Sequence, residues 1–277
     1  MNKIFIFSCW RSGTSWLEDI LGKNVEGSAL FGHEQQIFPL LAMYKQCYQK
    51  TPANVRKSAN RPLDDIVESE WHKEFGLKQH KVLHNLFKYT DEPFESFAMR
   101  FVEFLLTPYQ GKFEQVVEKS PENLSIESFR TSVDVFGNHD EYKLVYLIRD
   151  FVPYLASCYY KFVTKGNHDL SYYANKWIEW NDAAQSYIQL EPNQGNCLSN
   201  ISNLYLVRYP ALVHDPEFTV SKFATCVKKD IKIRKNVLTK WSQCEVLDVI
   251  LSIRKENKDI IDRIEKRSGF GKIYLDK

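Results

Sequence analysis

The sequence predicts an α/β fold in which a parallel β-sheet is flanked by helices on both faces. Three observations carry that expectation. Short β-rich runs alternate with stretches of helical spacing along the chain. The clearest run, Tyr142–Ile148 (YKLVYLI), is apolar enough to be buried on both faces, as central parallel strands are. The opening run, Lys3–Phe7, passes through a glycine-containing turn straight into a helical stretch, Trp16–Leu21. No repeat, low-complexity tract or linker interrupts the pattern, so residues 1–277 read as a single domain.

The elements follow in order. After the first strand and helix, Ala29–Gly32 reads as a second strand. Residues 39–111 carry mostly helical patterns, with polar breaks at Thr51–Pro62 and Asp91–Pro93, and read as a helical insertion on the acceptor side of the domain. Gln115–Glu118 is the third strand, and Ser120-Pro121-Glu122 has the form of a helix start with Pro at its first position. The strand Tyr142–Ile148 leads into a helix over Val152–Val163, and Leu170–Leu190 is helical in spacing. Leu204–Val207 is the last strand, and helices over Glu217–Lys228 and Glu245–Lys266 close the chain.

Composition narrows the function. Hydrophobic residues make up 44% and charged residues 26%, as in ordinary globular domains, and the net charge of +2 argues against a dedicated nucleic-acid binder. Apolar runs such as Ile4–Phe7 are far shorter than the roughly 20 residues a membrane helix needs, and too short for a signal peptide. The cysteines Cys9, Cys47, Cys158, Cys197, Cys226 and Cys244 show no CxxC spacing, so no zinc or redox motif is indicated. Without an export signal they read as reduced thiols, and the expected location is cytoplasmic.

The first strand–turn–helix holds Arg11-Ser12-Gly13-Thr14-Ser15. A helix N-terminus offers open N–H groups and the positive end of the dipole, a ready anion site. Gly13 lets the backbone approach an anion, Thr14 and Ser15 add hydroxyls, and Arg11 adds a fixed forked cation. The Walker A pattern fails, because no Gly precedes Gly13 at the required spacing and Thr14 stands where Lys is needed.

The segment WRSGTSW, residues 10–16, resembles the 5′-phosphosulfate loop of sulfotransferases, commonly PKSGTTW or PRSGTTL, with Trp10 in place of Pro and Ser15 in place of Thr. The resemblance extends through an ordered set of further segments. Tyr146-Leu147-Ile148-Arg149-Asp150 followed by Ser157, about two helical turns on, is similar to the family's 3′-phosphate motif. Taken alone, Arg149 would fit an ion-pair partner and Ser157 a helix surface; their order after the first loop gives the pair its meaning. Val117–Asn123 resembles the (E/N)K(S/T/D)P segment, and Val207-Arg208-Tyr209-Pro210-Ala211-Leu212 resembles (V/L)RYEDL, with Pro210 and Ala211 in place of an acidic pair. Gly32-His33-Glu34 resembles the segment that supplies a catalytic Glu in carbohydrate and tyrosine-protein sulfotransferases. Lys266–Lys272 is loosely similar to the basic C-terminal loop.

The resemblance implies a P-loop-like sulfotransferase fold and transfer of a sulfuryl group from 3′-phosphoadenosine-5′-phosphosulfate (PAPS) to a hydroxyl, with release of PAP. Binding would fall to Arg11, Ser12, Gly13, Thr14, Ser15, Trp16, Arg149, Ser157 and Tyr209, and catalysis to Glu34, Lys119 and Arg11. His33 rivals Glu34 as the base. No metal is expected, since side chains supply the cations. The expected acceptor is a carbohydrate or another small or glycoconjugate alcohol. An ATP-dependent phosphoryl transferase and a non-catalytic sulfotransferase-like binding protein are the alternatives.

Overall fold

Burial on both faces makes β1 (Asn2–Phe7) the spine of a two-sided sheet. Ile4 and Ile6 face one layer of core, and Phe5 and Phe7 face the other. The computed structural model describes residues 1–31, 37–50, 92–119, 126–190, 197–199, 203–224 and 240–268. Within them, β1 leads into α1 (Thr14–Asn24), β2 (Ser28–Leu30), α2 (Ile37–Lys50), α3 (Phe94–Leu106), β3 (Gln115–Lys119) and α4 (Ile126–Phe136). There follow β4 (Tyr142–Ile148), α5 (Phe151–Lys161), α6 (Leu170–Gln185), β5 (Ile188–Leu190) and β6 (Cys197–Ser199). The described chain closes with β7 (Leu204–Arg208), α7 (Tyr209–His214), α8 (Pro216–Ser221), α9 (Leu247–Glu256) and α10 (Lys258–Arg267).

The main sheet is parallel, in the order β2-β3-β1-β4-β7, with Ile4 opposite Val117 on one side and Lys143 on the other. The α1 side buries Trp16, Leu17, Ile20 and Leu21 against Ile4, Ile6, Val145 and Leu147. The opposite side is larger and aromatic, where α2 through α6 cover Phe5, Phe7, Tyr142, Tyr146 and Ile148. Phe5 meets Phe38 edge-on with ring centroids 4.8 Å apart, a contact worth about 1 kcal/mol beyond its buried area. From β1 the chain leaves toward β2, and from β4 toward β7. Such a reversal opens a crevice at the carboxyl ends of the two central strands, where α/β sheets bind ligands.

The predicted sheet is therefore present, with every predicted strand found within two residues of its expected limits. Three expectations are corrected. The helix expected over Leu170–Leu190 stops at Gln185, and Ile188–Leu190 forms an antiparallel ladder with Cys197–Ser199. Ser186 ends the helix by donating its hydroxyl to the Ala183 carbonyl at 2.6 Å. The single helix expected over Glu245–Lys266 is two, broken at Asn257, whose side-chain amide donates to the Ile253 carbonyl at 3.0 Å. Helix α8 ends at Ser221, and a short helix that was not anticipated, α7, follows β7 directly. The helix start at Ser120-Pro121-Glu122 lies outside the described residues.

The amino end of the sheet is pinned by a polar cluster. Lys3 Nζ lies 2.5 Å from Glu103 Oε1, and the Tyr142 hydroxyl donates to the same oxygen at 2.5 Å. Partial burial works to raise the Glu103 carboxyl, but the hydrogen bonds from Lys3 and Tyr142 outweigh it and hold the group below its ordinary range. A depressed carboxyl contributes stability above its unfolded value of about 4.3, and that stability is lost as pH falls through the folded value. Replacement Glu103→Gln is expected to lower stability at pH 7 by roughly 1 kcal/mol, after allowance for solvent screening of a part-exposed group. In thermal melts from pH 7 to pH 3 the gap to wild type should close; a pH-independent gap would assign the loss to packing instead.

Candidate active site

Gly13 opens α1 in the left-handed conformation, φ 100°, and α1 has no side-chain cap. Its first N–H groups therefore face the crevice beyond β1, an anion-binding arrangement. Arg11, just before, is the one non-glycine residue with positive φ among the described residues, at 62°. Backbone held there is strained, and it persists only where its surroundings over-determine it.

Those surroundings come from β4, β7 and α6. Arg149, just past the end of β4, donates through Nη1 to the Arg11 carbonyl at 2.9 Å. Its guanidinium lies over the Tyr209 ring, 4.8 Å from the centroid. Its own carbonyl accepts the Trp177 indole N–H at 2.9 Å. Burial pushes the Arg149 guanidinium down from its ordinary value; Tyr209 and Asp150 oppose the shift and the nearby Arg11 adds to it. The group stays cationic, since arginine titrates far above neutrality.

Arg11 closes the arrangement by donating from Nε to Ser157 Oγ at 3.1 Å, on the exposed side. The two phosphate motifs of the sequence thus meet directly. Ser157 sits on α5 and Tyr209 is the first residue of α7, directly after β7, so the ends of β1, β4 and β7 converge on one crevice.

On the other flank, Lys119 ends β3 with its side chain 1% exposed. Its ammonium donates to Ser15 Oγ at 3.0 Å and lies 3.6 Å from Glu18 Oε2. Ser15 is exposed, Ser12 and Thr14 are buried, and Trp16 packs edge-on to Tyr209 at 5.9 Å. Trp10 stacks toward Tyr172 of α6, which braces the loop from the aromatic side of the sheet.

Beneath the loop, Cys9 and Cys158 are buried free thiols. Burial pushes both up, Cys158 to about 12, so they remain protonated and inert at neutral pH. Pro210 and Ala211, which replace an acidic pair, have a structural role. Pro210 stands in the first turn of α7, and the Ala211 carbonyl accepts from Asp215 N at 2.9 Å and Thr219 Oγ1 at 3.2 Å.

The structure thus brings together Arg11, Gly13, Ser15, Trp16, Lys119, Arg149, Ser157 and Tyr209. Glu34 and His33 lie outside the described residues, as does most of the Lys266–Lys272 segment; Lys266 and Arg267 form the last turn of α10. Sequence reasoning missed Trp177 and Glu18. Trp177 stands in an ordinary helical pattern with no motif around it. Glu18 carried one signal, an acidic residue three positions after Ser15 on a face otherwise destined for the core.

A model of the sulfotransferase family matches residues 3–226. Among solved structures, the chain is similar to the sulfotransferase domain from the Synechococcus PCC 7002 olefin synthase, at 15% identity and a TM-score of 0.48, covering 93% of this chain and 94% of that one. It is also similar to sulfotransferase STF9 from Mycobacterium avium, at 9% identity and a TM-score of 0.37, covering 97% and 75%. No curated protein matches the chain.

The loop geometry can be tested without a ligand. A Cβ built on Gly13 would lie 2.3 Å from the Tyr209 ring, on top of the positive φ. Replacement Gly13→Ala is expected to lower stability by about 1–3 kcal/mol. Combining it with Tyr209→Ala should recover part of that loss, because only the φ penalty then remains. Strict additivity of the two changes in denaturant melts would mean that the ring is not what fills the space.

Proposed function

The chain belongs to the sulfotransferase family, whose chemistry is sulfuryl transfer, and from that premise we propose that PAPS is its donor and a hydroxyl its acceptor. The supporting observation is the contact of Arg149 with the Arg11 carbonyl and of Arg11 with Ser157. Two cations from two separate motifs flank one crevice, which suits a ligand with two separate phosphates better than the single polyphosphate of ATP. In this reading Arg11, Ser12, Gly13, Thr14 and Ser15 bind the 5′-phosphate, Arg149 and Ser157 bind the 3′-phosphate, and Trp16 and Tyr209 pack beside the nucleotide.

Transfer is a direct displacement. The acceptor oxygen forms a bond to sulfur while the bond from sulfur to the bridging oxygen breaks, and the electron pair stays on the departing 5′-phosphate. Arg11 and Lys119 neutralise that charge, as preorganised cations do best in a water-poor site. Glu34 takes the acceptor proton. The acceptor is a carbohydrate or other alcohol.

Two outcomes test the reading. PAP should raise the melting temperature clearly, by binding the native state, while AMP, lacking the 3′-phosphate, should do little. Arg149→Ala should weaken PAP binding roughly 10- to 100-fold and weaken binding of adenosine 5′-phosphosulfate by clearly less, that smaller loss coming from the Arg11 carbonyl left without its Arg149 contact. Equal stabilisation by AMP and PAP would remove Arg149 and Ser157 from the donor site.

The base is tested separately. With labelled PAPS and a panel of sugars and alcohols, Glu34→Gln should reduce turnover by ~10²–10⁴-fold with PAP affinity kept. His33→Ala should lose much less, and the reverse ranking would transfer the role to His33.

A further inference from the structure

Lys119 has among its partners two with opposed consequences. Ser15 Oγ, 3.0 Å away, belongs to the exposed start of α1, where the helix dipole favours an anion. Glu18 Oε2, 3.6 Å away, belongs to a side chain 8% exposed, one turn deeper in the same helix. Positions three apart share a helix face, so both partners address the end of β3 from one side. A carboxylate and an ammonium this deeply buried offset part of each other's desolvation penalty.

We propose that Glu18 is the resting counter-ion of Lys119, a positioning residue that competes with the donor's 5′-phosphate for the ammonium. This rests on the PAPS reading above. While the bridging oxygen is bonded to sulfur, the donor's 5′-phosphoryl group carries one negative charge fewer than after transfer. Glu18 holds the ammonium against that weaker demand. As the bond from sulfur to oxygen breaks and the electron pair collects on the phosphate, the phosphate outcompetes the carboxylate and Lys119 turns to it. The interaction is then stronger in the transition state than in the ground state, which is the condition for acceleration. Competition from Glu18 also limits the grip of Lys119 on the more highly charged product, and so favours its release.

The sign of the effect separates this role from a merely structural one. Glu18→Gln keeps the shape and removes the charge. The unliganded variant should melt at a lower temperature, yet calorimetric titration should show PAP binding about tenfold more tightly, because the phosphate loses a competitor for the ammonium. Adenosine 3′-phosphate, with no 5′-phosphate, should bind variant and wild type alike. In a Lys119→Met background, Glu18→Gln should leave PAP affinity unchanged. Unchanged or weaker PAP binding by Glu18→Gln in the native background overturns the proposal, and so does a tightening that persists in the Lys119→Met background. Should the Gln variant fail to fold, Glu18→Asp, which retracts the carboxylate by one methylene, must shift PAP affinity in the same direction by less, and no shift there overturns it equally. Failure of wild type to bind PAP at all would be recognised first and would sink the donor assignment, and this proposal with it.

Discussion

The crevice is organised around the burial of one guanidinium. Arg149 touches the loop after β1 through the Arg11 carbonyl, the start of α7 through the Tyr209 ring, and α6 through Trp177. Each contact uses a different part of the residue: the fork, the plane and the backbone carbonyl. Lysine could supply only a point charge, with neither plane nor fork. The same packing explains the positive φ of Arg11 and the glycine at position 13, since the Tyr209 ring that supports Arg149 fills the space a Cβ would need. The strained loop and the cation are thus one structural unit.

That unit is electrostatically unfavourable in itself. Arg149 is desolvated and close to Arg11, and Lys119 is buried behind the same helix start. Buried cations destabilise a fold unless they are paired, and ion pairing repairs this only in part. The compensation lies elsewhere, in the two-sided core. The aromatic layer of Phe5, Phe7, Phe38, Phe129, Phe136 and Tyr146 holds β1 and β4 side by side whatever their carboxyl ends carry. A rigid sheet therefore fixes cations that would otherwise move apart, and an anion arriving between them meets charge already in position. For the two guanidiniums, Arg11 and Arg149, the field is preorganised in that sense.

Legibility in the sequence followed the physics of each element. Strands β1 and β4 were visible because burial on both faces demands near-continuous apolar runs. The residues of the crevice were visible because their side chains belong to segments of recognisable order. The turn at Ser186 and the break at Asn257 were hidden, because apolar residues on either side continued the helical spacing while a single side-chain hydrogen bond decided the outcome. Trp177 was hidden for another reason. Its contribution is a hydrogen bond to a backbone carbonyl, and a carbonyl leaves no mark in a sequence.

The same distinction accounts for the departures from the usual motif. At Trp10, Pro210 and Ala211 the chain differs from the common pattern, and at each the role is carried by packing or backbone. Trp10 braces its loop against Tyr172 and Tyr173, Pro210 starts α7, and Ala211 offers a carbonyl. Many side chains can meet such demands. Arg149, Tyr209 and Gly13 have no such latitude, because fork, ring and missing Cβ interlock within one small volume. Latitude is therefore wide around the crevice and narrow at its centre, where the Tyr209 ring meets the Arg149 guanidinium and fills the space a Gly13 Cβ would need.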